Sequence, residues 1–229
     1  MLDINKTDPV LGLKVHNHLV ELGCETPTTL NNTFTPKQQI TRIEPAFRKV
    51  METLRLDLSD DSLQDTPKRV AKMYTNETCW GLNYANFPKI TVVENKAGYN
   101  DLVIEKTKVT SLCEHHWVYF GTAHNPDLGC WIAYIPDKKV VGLSKLNRVT
   151  EFFSRRPQIQ ERLTRQIAET LRFLLETDDV AVVIKAQHFC VLTRGIEDTT
   201  GYTVTSSVHG RFSSEPALRA ELMQLVNAK

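Results

Sequence analysis

Two short clusters of cysteine and histidine are the residues of this 229-residue chain best suited to chemistry. The first is Cys113-Glu114-His115-His116, and the second is His188-Phe189-Cys190. Thiolate and imidazole are the donors that zinc accepts in tetrahedral sites. We expect His188 and Cys190, which are two residues apart, on one face of a strand. Four converging donors would close a structural site, whereas three ligands and a water would form a catalytic one. The spacing leaves both readings open, beside ordinary packing.

A predicted helix over 145–154 begins with residues that suit a phosphate. Ser144 is expected to cap this helix, and the free N–H groups of a helix N-terminus favour anions. Lys145 and Arg148 are three residues apart and therefore lie on one face of the helix. Arg194, which closely follows the second cluster, can join them. An ordinary solvated helix start is the alternative for this segment.

Gln160 and Glu161 are candidates for recognising a nucleobase. They follow Pro157, where we expect the next helix to begin, and so lie in its first turn. A carboxylate beside an amide can accept hydrogen bonds from the amino groups on a purine edge. A favourable interaction of Glu161 with the helix dipole is the plainer alternative.

The elements that must position these residues fall into two groups. Residues 1–98 are predicted to be mostly helical, with helices over 10–22, 39–56 and 66–80 and a loop over 26–36. Residues 99–229 are predicted to hold strands over 102–111, 117–120, 131–135, 180–192 and 202–209, and helices over 145–154, from 157 onward and over 216–226. This order indicates an α+β fold, an antiparallel ββααββ sheet with helices on one face.

The composition excludes several classes of protein. Hydrophobic residues make up 41% and charged residues 24% of the chain, which excludes a disordered or collagen-like chain. No apolar stretch approaches the ~20 residues of a membrane span. A net charge of +1 argues against a dedicated nucleic-acid binder. Five cysteines without a visible export signal predict reduced thiols in a cytoplasmic protein.

The combined motifs resemble those of the GTP cyclohydrolase I family. The resemblance runs over about residues 66–212 and is carried by segments 65–73, 113–116, 133–136, 142–145, 156–163, 188–191 and 194–196. It implies the tunnelling fold (T-fold), whose unit is ββααββ, for a catalytic domain over 99–229. It also implies a homodecamer of two pentamers, with active sites at the subunit interfaces.

The same resemblance implies a role for each candidate residue. The zinc ligands are then Cys113, His116 and Cys190, which makes the site an open, catalytic one. His115 and His188 are left free for proton transfer. Ser144 joins these two histidines in the catalytic set, and Gln160 with Glu161 holds the guanine. The triphosphate is held by Ser144, Lys145, Arg148 and Arg194, with Arg69 reaching in from a neighbouring subunit.

The implied reaction is hydrolysis of GTP at C8. Formate is lost and the ring is rebuilt to 7,8-dihydroneopterin triphosphate, the first step of folate and pterin biosynthesis, in an allosterically regulated enzyme. Two thiolate ligands weaken zinc as a Lewis acid, so the purine needs further activation. His188 can supply it by protonating N7, while His115 serves the ribose oxygen or a water.

Several positions depart from the family pattern or fall outside it. The hairpin over 120–131 is longer than the family's, and Glu197, Gly201 and His209 replace expected residue types. The remaining cysteines and histidines have no partner cluster and are expected in packing or surface positions: His16, His18, His124, His209, Cys24, Cys79 and Cys130. Two other functions remain as alternatives, a non-catalytic zinc-stabilised assembly that binds purines or pterins and a zinc deaminase. The deaminase is disfavoured because its Pro-Cys-x-x-Cys signature is missing.

Overall fold

The computed structural model of the chain describes residues 2–29, 34–122 and 125–228. The helices are α1 (Pro9–Glu21), α2 (Pro36–Thr53), α3 (Thr66–Met73), α4 (Leu143–Ser154), α5 (Gln160–Leu175), α6 (Phe189–Leu192), α7 (Arg211–Ser214) and α8 (Pro216–Asn227). The strands are β1 (Val92–Glu94), β2 (Val103–Thr107), β3 (Thr110–Cys113), β4 (Tyr119–Gly121), β5 (Gly129–Tyr134), β6 (Lys139–Val141), β7 (Pro157–Gln158), β8 (Val180–His188) and β9 (Thr203–Val208). Short helical turns lie at Ile4–Lys6, Tyr74–Thr78, Trp80–Leu82 and Tyr84–Asn86.

Strand β8 is the centre of the main sheet. Strand β5 pairs antiparallel along one edge of β8 and β9 along the other, and β2 extends the sheet beyond β5. The last residues of β8 pair with β4, which pairs in turn with β3, while β7 runs parallel to β3. Strands β1 and β6 form a separate two-stranded sheet. The predicted α+β arrangement around an antiparallel sheet is confirmed, with β7 as a short parallel addition.

Consecutive residues of β5 and β8 face two different hydrophobic layers. Ile132 and Val182 pack in the layer that includes α1, α4 and α5, whereas Trp131 and Val183 pack with the terminal helix α8. Both faces of these strands are apolar because successive side chains of a strand point to opposite sides. The expectation of helices on one face therefore holds for α4 and α5, while α8 covers the opposite face.

The start of α4 differs from its prediction. Gly142 occupies the N-cap position, and Ser144 lies inside the first turn of the helix without capping it. The start of α5 also differs, because Pro157–Gln158 pairs with β3 and the helix begins only at Gln160.

The end of β8 matters most for the candidate site. The strand stops at His188, and Cys190 lies in the single-turn helix α6. The turn is closed where the Thr193 backbone N–H donates to the Phe189 carbonyl at 2.9 Å. The prediction that His188 and Cys190 share one face of a strand is therefore wrong, because the chain turns between them.

The N-terminal region is joined to the sheet domain by apolar and polar contacts. Val15 and Leu19 of α1 lie in the same hydrophobic core as the sheet. The fully buried Arg156 donates to the Glu25 carboxylate and to the Gly81 carbonyl. A boundary near residue 98 stays a prediction.

Two further sequence predictions concern the N-terminal region. The helix predicted over 66–80 ends at Met73 and passes into the wider turn Tyr74–Thr78. The loop predicted over 26–36 lies partly outside the described residues, and His124 lies wholly outside them.

No described helix combines the length and apolar content that crossing a membrane requires.

Candidate active site

Cys113, Cys190 and His188 come together at one end of the main sheet. The two Sγ atoms are 3.7 Å apart, and the donor atoms of all three residues lie within 4.8 Å of one another. Cys113 is buried at the end of β3, whereas Cys190 and His188 are half-buried. Among the described residues this is the group of three or more side chains placed to hold a metal ion. We call it the cysteine–histidine group.

Strand β4 brings the two sequence clusters together. It lies between β3 and the end of β8, with Phe120 opposite Ser111 on one side and opposite His188 on the other. The Phe120 ring stacks on the His188 imidazole, with centroids 4.6 Å apart and an interplanar angle of 2°. The two clusters thus converge across an intervening strand, and the aromatic contact orients His188.

Gln160 holds the other side of the His188 ring. Its buried side-chain nitrogen donates to the carbonyls of Ile184 at 3.1 Å and Thr203 at 3.0 Å, and it lies 3.1 Å from Thr205 Oγ1. The amide oxygen therefore faces His188 Nε2, at 2.9 Å. A carbonyl oxygen only accepts, so Nε2 carries the hydrogen and donates it, which leaves Nδ1 as the free nitrogen of the neutral ring.

Burial lowers the pKa of His188, and the nearby charge of Glu161 opposes that shift in part. Glu161 is exposed in the first turn of α5, beside the fully engaged Gln160. The structure thus places both predicted guanine-binding residues next to His188. Of the two, only Glu161 presents its polar end to solvent.

The turn that follows Cys113 carries His115 and His116. Both rings are exposed, and their centroids are 6.5 Å apart. The turn is closed by donation from the Trp117 N–H to the Cys113 carbonyl at 2.8 Å, with Trp117 in a left-handed conformation at φ 55°. His116 lies outside the cysteine–histidine group in this arrangement, although it follows Cys113 by three residues.

The donor chemistry of the group suits zinc. Two thiols and an imidazole form a soft to borderline set, which favours zinc over hard cations such as magnesium. Burial raises the pKa of the Cys190 thiol, and the adjacent Cys113 raises it further. A thiol binds a metal as the thiolate, so metal binding at Cys190 requires the release of its proton.

The predicted triphosphate-binding residues differ in their surroundings. Arg148 lines two surface cavities, of about 170 Å³ and 200 Å³, and neither is lined by a member of the cysteine–histidine group. Arg69 donates at 2.9 Å to the Ser62 carbonyl and to Thr66 Oγ1, within its own region of the chain. Ser144 is exposed and Lys145 half-buried at the start of α4. Arg194 is exposed just after α6, where its charge slightly lowers the pKa of Cys190.

Sequence reasoning missed three residues that shape this site. Phe120 stacks on His188, and Glu114 and Arg162 form an ion pair between the turn and α5. Glu114 and Arg162 lie within the motifs quoted above, but opposite charges 48 positions apart do not reveal a contact. Phe120 gives no signal beyond its place in a predicted strand.

Comparison with known proteins decides the family. The sequence profile described as GTP cyclohydrolase I matches residues 43–227. This chain belongs to the GTP cyclohydrolase I family. The GTP cyclohydrolase 1 proteins of Shewanella sp. (strain ANA-3) and Shewanella oneidensis are 51% and 50% identical to it over 213 residues, covering 92% of this chain and 95% of each relative. The GTP cyclohydrolase 1 of Shewanella denitrificans is 50% identical over 213 residues, covering 93% and 95%.

Membership of the GTP cyclohydrolase I family confirms the resemblance read from the motifs. It also confirms the prediction that the chain is an enzyme of this family. The matched region spans the cysteine–histidine group and α4, α5 and α8, so the candidate site lies within the family domain.

Proposed function

We propose that this chain hydrolyses GTP at C8 in a zinc-dependent reaction that releases formate and yields 7,8-dihydroneopterin triphosphate. Family membership supports GTP as the substrate. The observation that carries the zinc dependence is the 3.7 Å approach of the Cys113 and Cys190 sulfurs beside His188.

Cys113, Cys190 and His116 would hold the zinc ion. Once bound, zinc acts as a Lewis acid and lowers the pKa of a water molecule, which supplies a nucleophile near neutral pH. The environment of His188 supports His116 as the third ligand. The His188 ring is stacked on Phe120 and donates to Gln160, whereas the His116 ring is exposed on a short turn beside Cys113.

His188 would act as the acid that activates the purine. Gln160 engages Nε2, so proton exchange takes place at Nδ1. Burial lowers the pKa of the ring, which makes the protonated form a stronger acid toward N7 of the purine. His115, exposed on the turn, would carry a proton to the ribose oxygen or from water.

Glu161 and Gln160 would hold the guanine from the first turn of α5. The exposed Glu161 carboxylate can accept from the amino groups of the base. The Gln160 side chain is committed to the sheet and to His188, so we assign it chiefly to orienting that ring.

The triphosphate would be bound across a subunit interface. It carries about four negative charges and needs a cluster of cations. Within one chain Arg148 lines cavities that no member of the cysteine–histidine group lines, and Arg69 is bonded to Ser62 and Thr66. These contacts support a homo-oligomer, a decamer of two pentamers, in which a neighbour completes each site. Ser144 and Lys145 would join them from α4, and Arg194 from beside Cys190.

The remaining expectations belong to the same proposal. Residues 99–229 would form the T-fold catalytic domain behind a helical region over 1–98. The enzyme would be cytoplasmic and allosterically regulated, and it would catalyse the first step of folate and pterin biosynthesis. The T-fold assignment is supported by the order of the main elements, in which strands β2 to β5 precede helices α4 and α5 and strands β8 and β9 follow them.

A GTP assay with and without a chelator tests the proposed function. Zinc-loaded protein should release formate from GTP and give a product that fluoresces after oxidation, and the chelator should abolish both. Absence of formate at every zinc loading contradicts the proposal. Ammonia release would instead identify a deaminase, and GTP binding without turnover would identify a non-catalytic purine-binding assembly.

A further inference from the structure

Glu114 and Arg162 form a two-pronged ion pair beside the cysteine–histidine group. The two terminal nitrogens of Arg162 donate to the two oxygens of Glu114, at 2.6 Å and 3.2 Å. The Arg162 and Glu114 side chains are only 16% and 26% exposed, so the pair is largely shielded from water. Paired charge-assisted bonds of this kind fix the relative orientation of two elements as well as stabilising them.

The pair joins the Cys113 turn to the first turn of α5. Glu114 directly follows Cys113, and its backbone N–H donates to the Gln158 carbonyl at 3.1 Å. Arg162 lies two residues after Gln160, whose side chain accepts from His188. One helical turn therefore holds both halves of the cysteine–histidine group, the Cys113 turn through Arg162 and the end of β8 through Gln160.

We propose that Glu114 and Arg162 are positioning residues that set the separation of the Cys113 turn from the His188–Cys190 segment, and thereby the affinity for zinc. This inference rests on the proposed function, because it concerns the same metal site. Neither side chain is a ligand in the proposal, and each acts through the backbone that carries the ligands.

An electrostatic role and a positioning role for Arg162 predict opposite effects of its removal on zinc affinity. A positive charge near a metal site repels the cation, so removing it would strengthen zinc binding if electrostatics alone mattered. If Arg162 positions the turn, its removal weakens zinc binding. Loss of a residue that orients metal ligands typically lowers affinity by about 10–100-fold.

The decisive variant is Arg162→Gln, measured by competition for zinc against a chromogenic chelator. We expect zinc affinity to fall about 10–100-fold relative to the wild type. The thiolate absorption of the cobalt-substituted protein should shift as well, because the two sulfurs would no longer be held at the same separation. Thermal unfolding of the metal-free protein checks that the variant is folded.

Arg211→Gln is the matched control. Arg211 forms a similar fork with Glu215, at 2.8 Å and 3.3 Å, at the start of α7. This variant should bind zinc as the wild type does. Equal losses in the two variants would overturn the proposal, as would wild-type or tighter zinc binding by Arg162→Gln.

A second variant at the same position keeps the proposal testable if Arg162→Gln does not fold. Arg162→Lys keeps the charge but loses the planar fork, so it should also weaken zinc binding, and wild-type affinity in this variant would contradict the positioning role. The experiments distinguish failure of the positioning role from failure of the proposed function. Wild-type protein that binds zinc but releases no formate contradicts only the proposed function, because the effect of Arg162 is measured on zinc affinity alone.

Discussion

His188 and His116 are assigned different roles although both lie near the two cysteines. His188 is half-buried, stacked on Phe120 and bonded to Gln160, and these contacts restrain its ring. His116 is exposed on the turn that follows Cys113. The sequence predicted both histidines as metal donors. The tertiary contacts of each support the proposal that His116 is the ligand and His188 the acid.

Alanine variants of the three histidines test that division. We expect His116→Ala to lose zinc, and His115→Ala and His188→Ala to retain zinc while turnover falls about 10²–10⁴-fold, as for the loss of a general acid or base. Zinc content by atomic absorption and formate release are measured on the same preparations. Loss of zinc in His188→Ala with retention in His116→Ala would exchange the two assignments.

Cys113 and Cys190 are placed to react with each other once no metal separates them. Their sulfurs are 3.7 Å apart, and a disulfide requires about 2.05 Å, so a small movement suffices. We expect protein stripped of zinc and exposed to air to lose two of its five titratable thiols.

The Cys190→Ser variant is the control for this oxidation. It should retain its four thiols under the same treatment, because Cys113 has then lost its partner, and among the described contacts none joins Cys24, Cys79 or Cys130 to another cysteine. Burial raises the pKa of Cys130 to about 12 and also raises the pKa of Cys24 and Cys79, so each of the three is a poor thiolate as well as lacking a cysteine partner. A full thiol count in air-exposed apo protein would contradict the prediction.

At the scale of elements, the end of β9 is coupled to α5 through His209. Its Nε2 lies 2.8 Å from Ser207 Oγ and 3.9 Å from the buried carboxylate of Glu169. Burial lowers the pKa of His209, and the charge of Glu169 opposes this in part. Weaker contributions come from the charges of Arg172, Asp178 and Arg165.

The depressed pKa makes folding stability depend on pH. The unfolded chain, with an ordinary histidine pKa of about 6.5, binds the proton more readily than the native protein. The contribution of His209 is therefore complete above that pKa and is lost as the pH falls below it. We expect His209→Gln to lose less unfolding free energy than the wild type between pH 7.5 and 5.5, measured by urea denaturation. Equal losses in the two proteins would contradict this.

Several elements were predictable because their patterns are local. The apolar stripe of α5 repeats at the helix period, and the helix begins within a few residues of its predicted start at 157. The alternating residues over 102–111 were predicted as one strand, which the structure divides between β2 and the start of β3. The stop of β8 at His188 was not predictable. Apolar residues recur after it, at Phe189, Val191 and Leu192, so the sequence marks no end there. The pairing of β4 with the last residues of β8 shows where the strand ends.

At the scale of the whole molecule, the cations proposed to bind the triphosphate differ in their relation to the cysteine–histidine group. Arg148 lines two cavities that no member of the cysteine–histidine group lines, whereas the charge of Arg194 acts on Cys190 and lowers its pKa. In the assembly proposed above, a neighbouring subunit would supply Arg148 to each site.

Complementation between two inactive variants tests shared sites. We expect Arg148→Ala and His188→Ala each to be inactive alone and to recover activity when co-expressed. In random mixed assemblies about a quarter of sites would take an intact His188 from one chain and an intact Arg148 from its neighbour, giving about a quarter of the wild-type rate. His115→Ala co-expressed with His188→Ala is the control and should recover nothing, because both residues belong to the same half-site.

The sequence by itself determined the family, the α+β class and the set of side chains available for chemistry. These properties depend on residue types and on short periodic patterns, which a single chain displays without folding. Only the tertiary structure decided how the side chains meet: Cys113 beside Cys190 across β4, Gln160 turned toward His188, and Arg162 paired with Glu114. These residues are dozens of positions apart in the sequence. Their contacts depend on how the strands pair and on how α5 packs against the sheet, and no local sequence pattern specifies either.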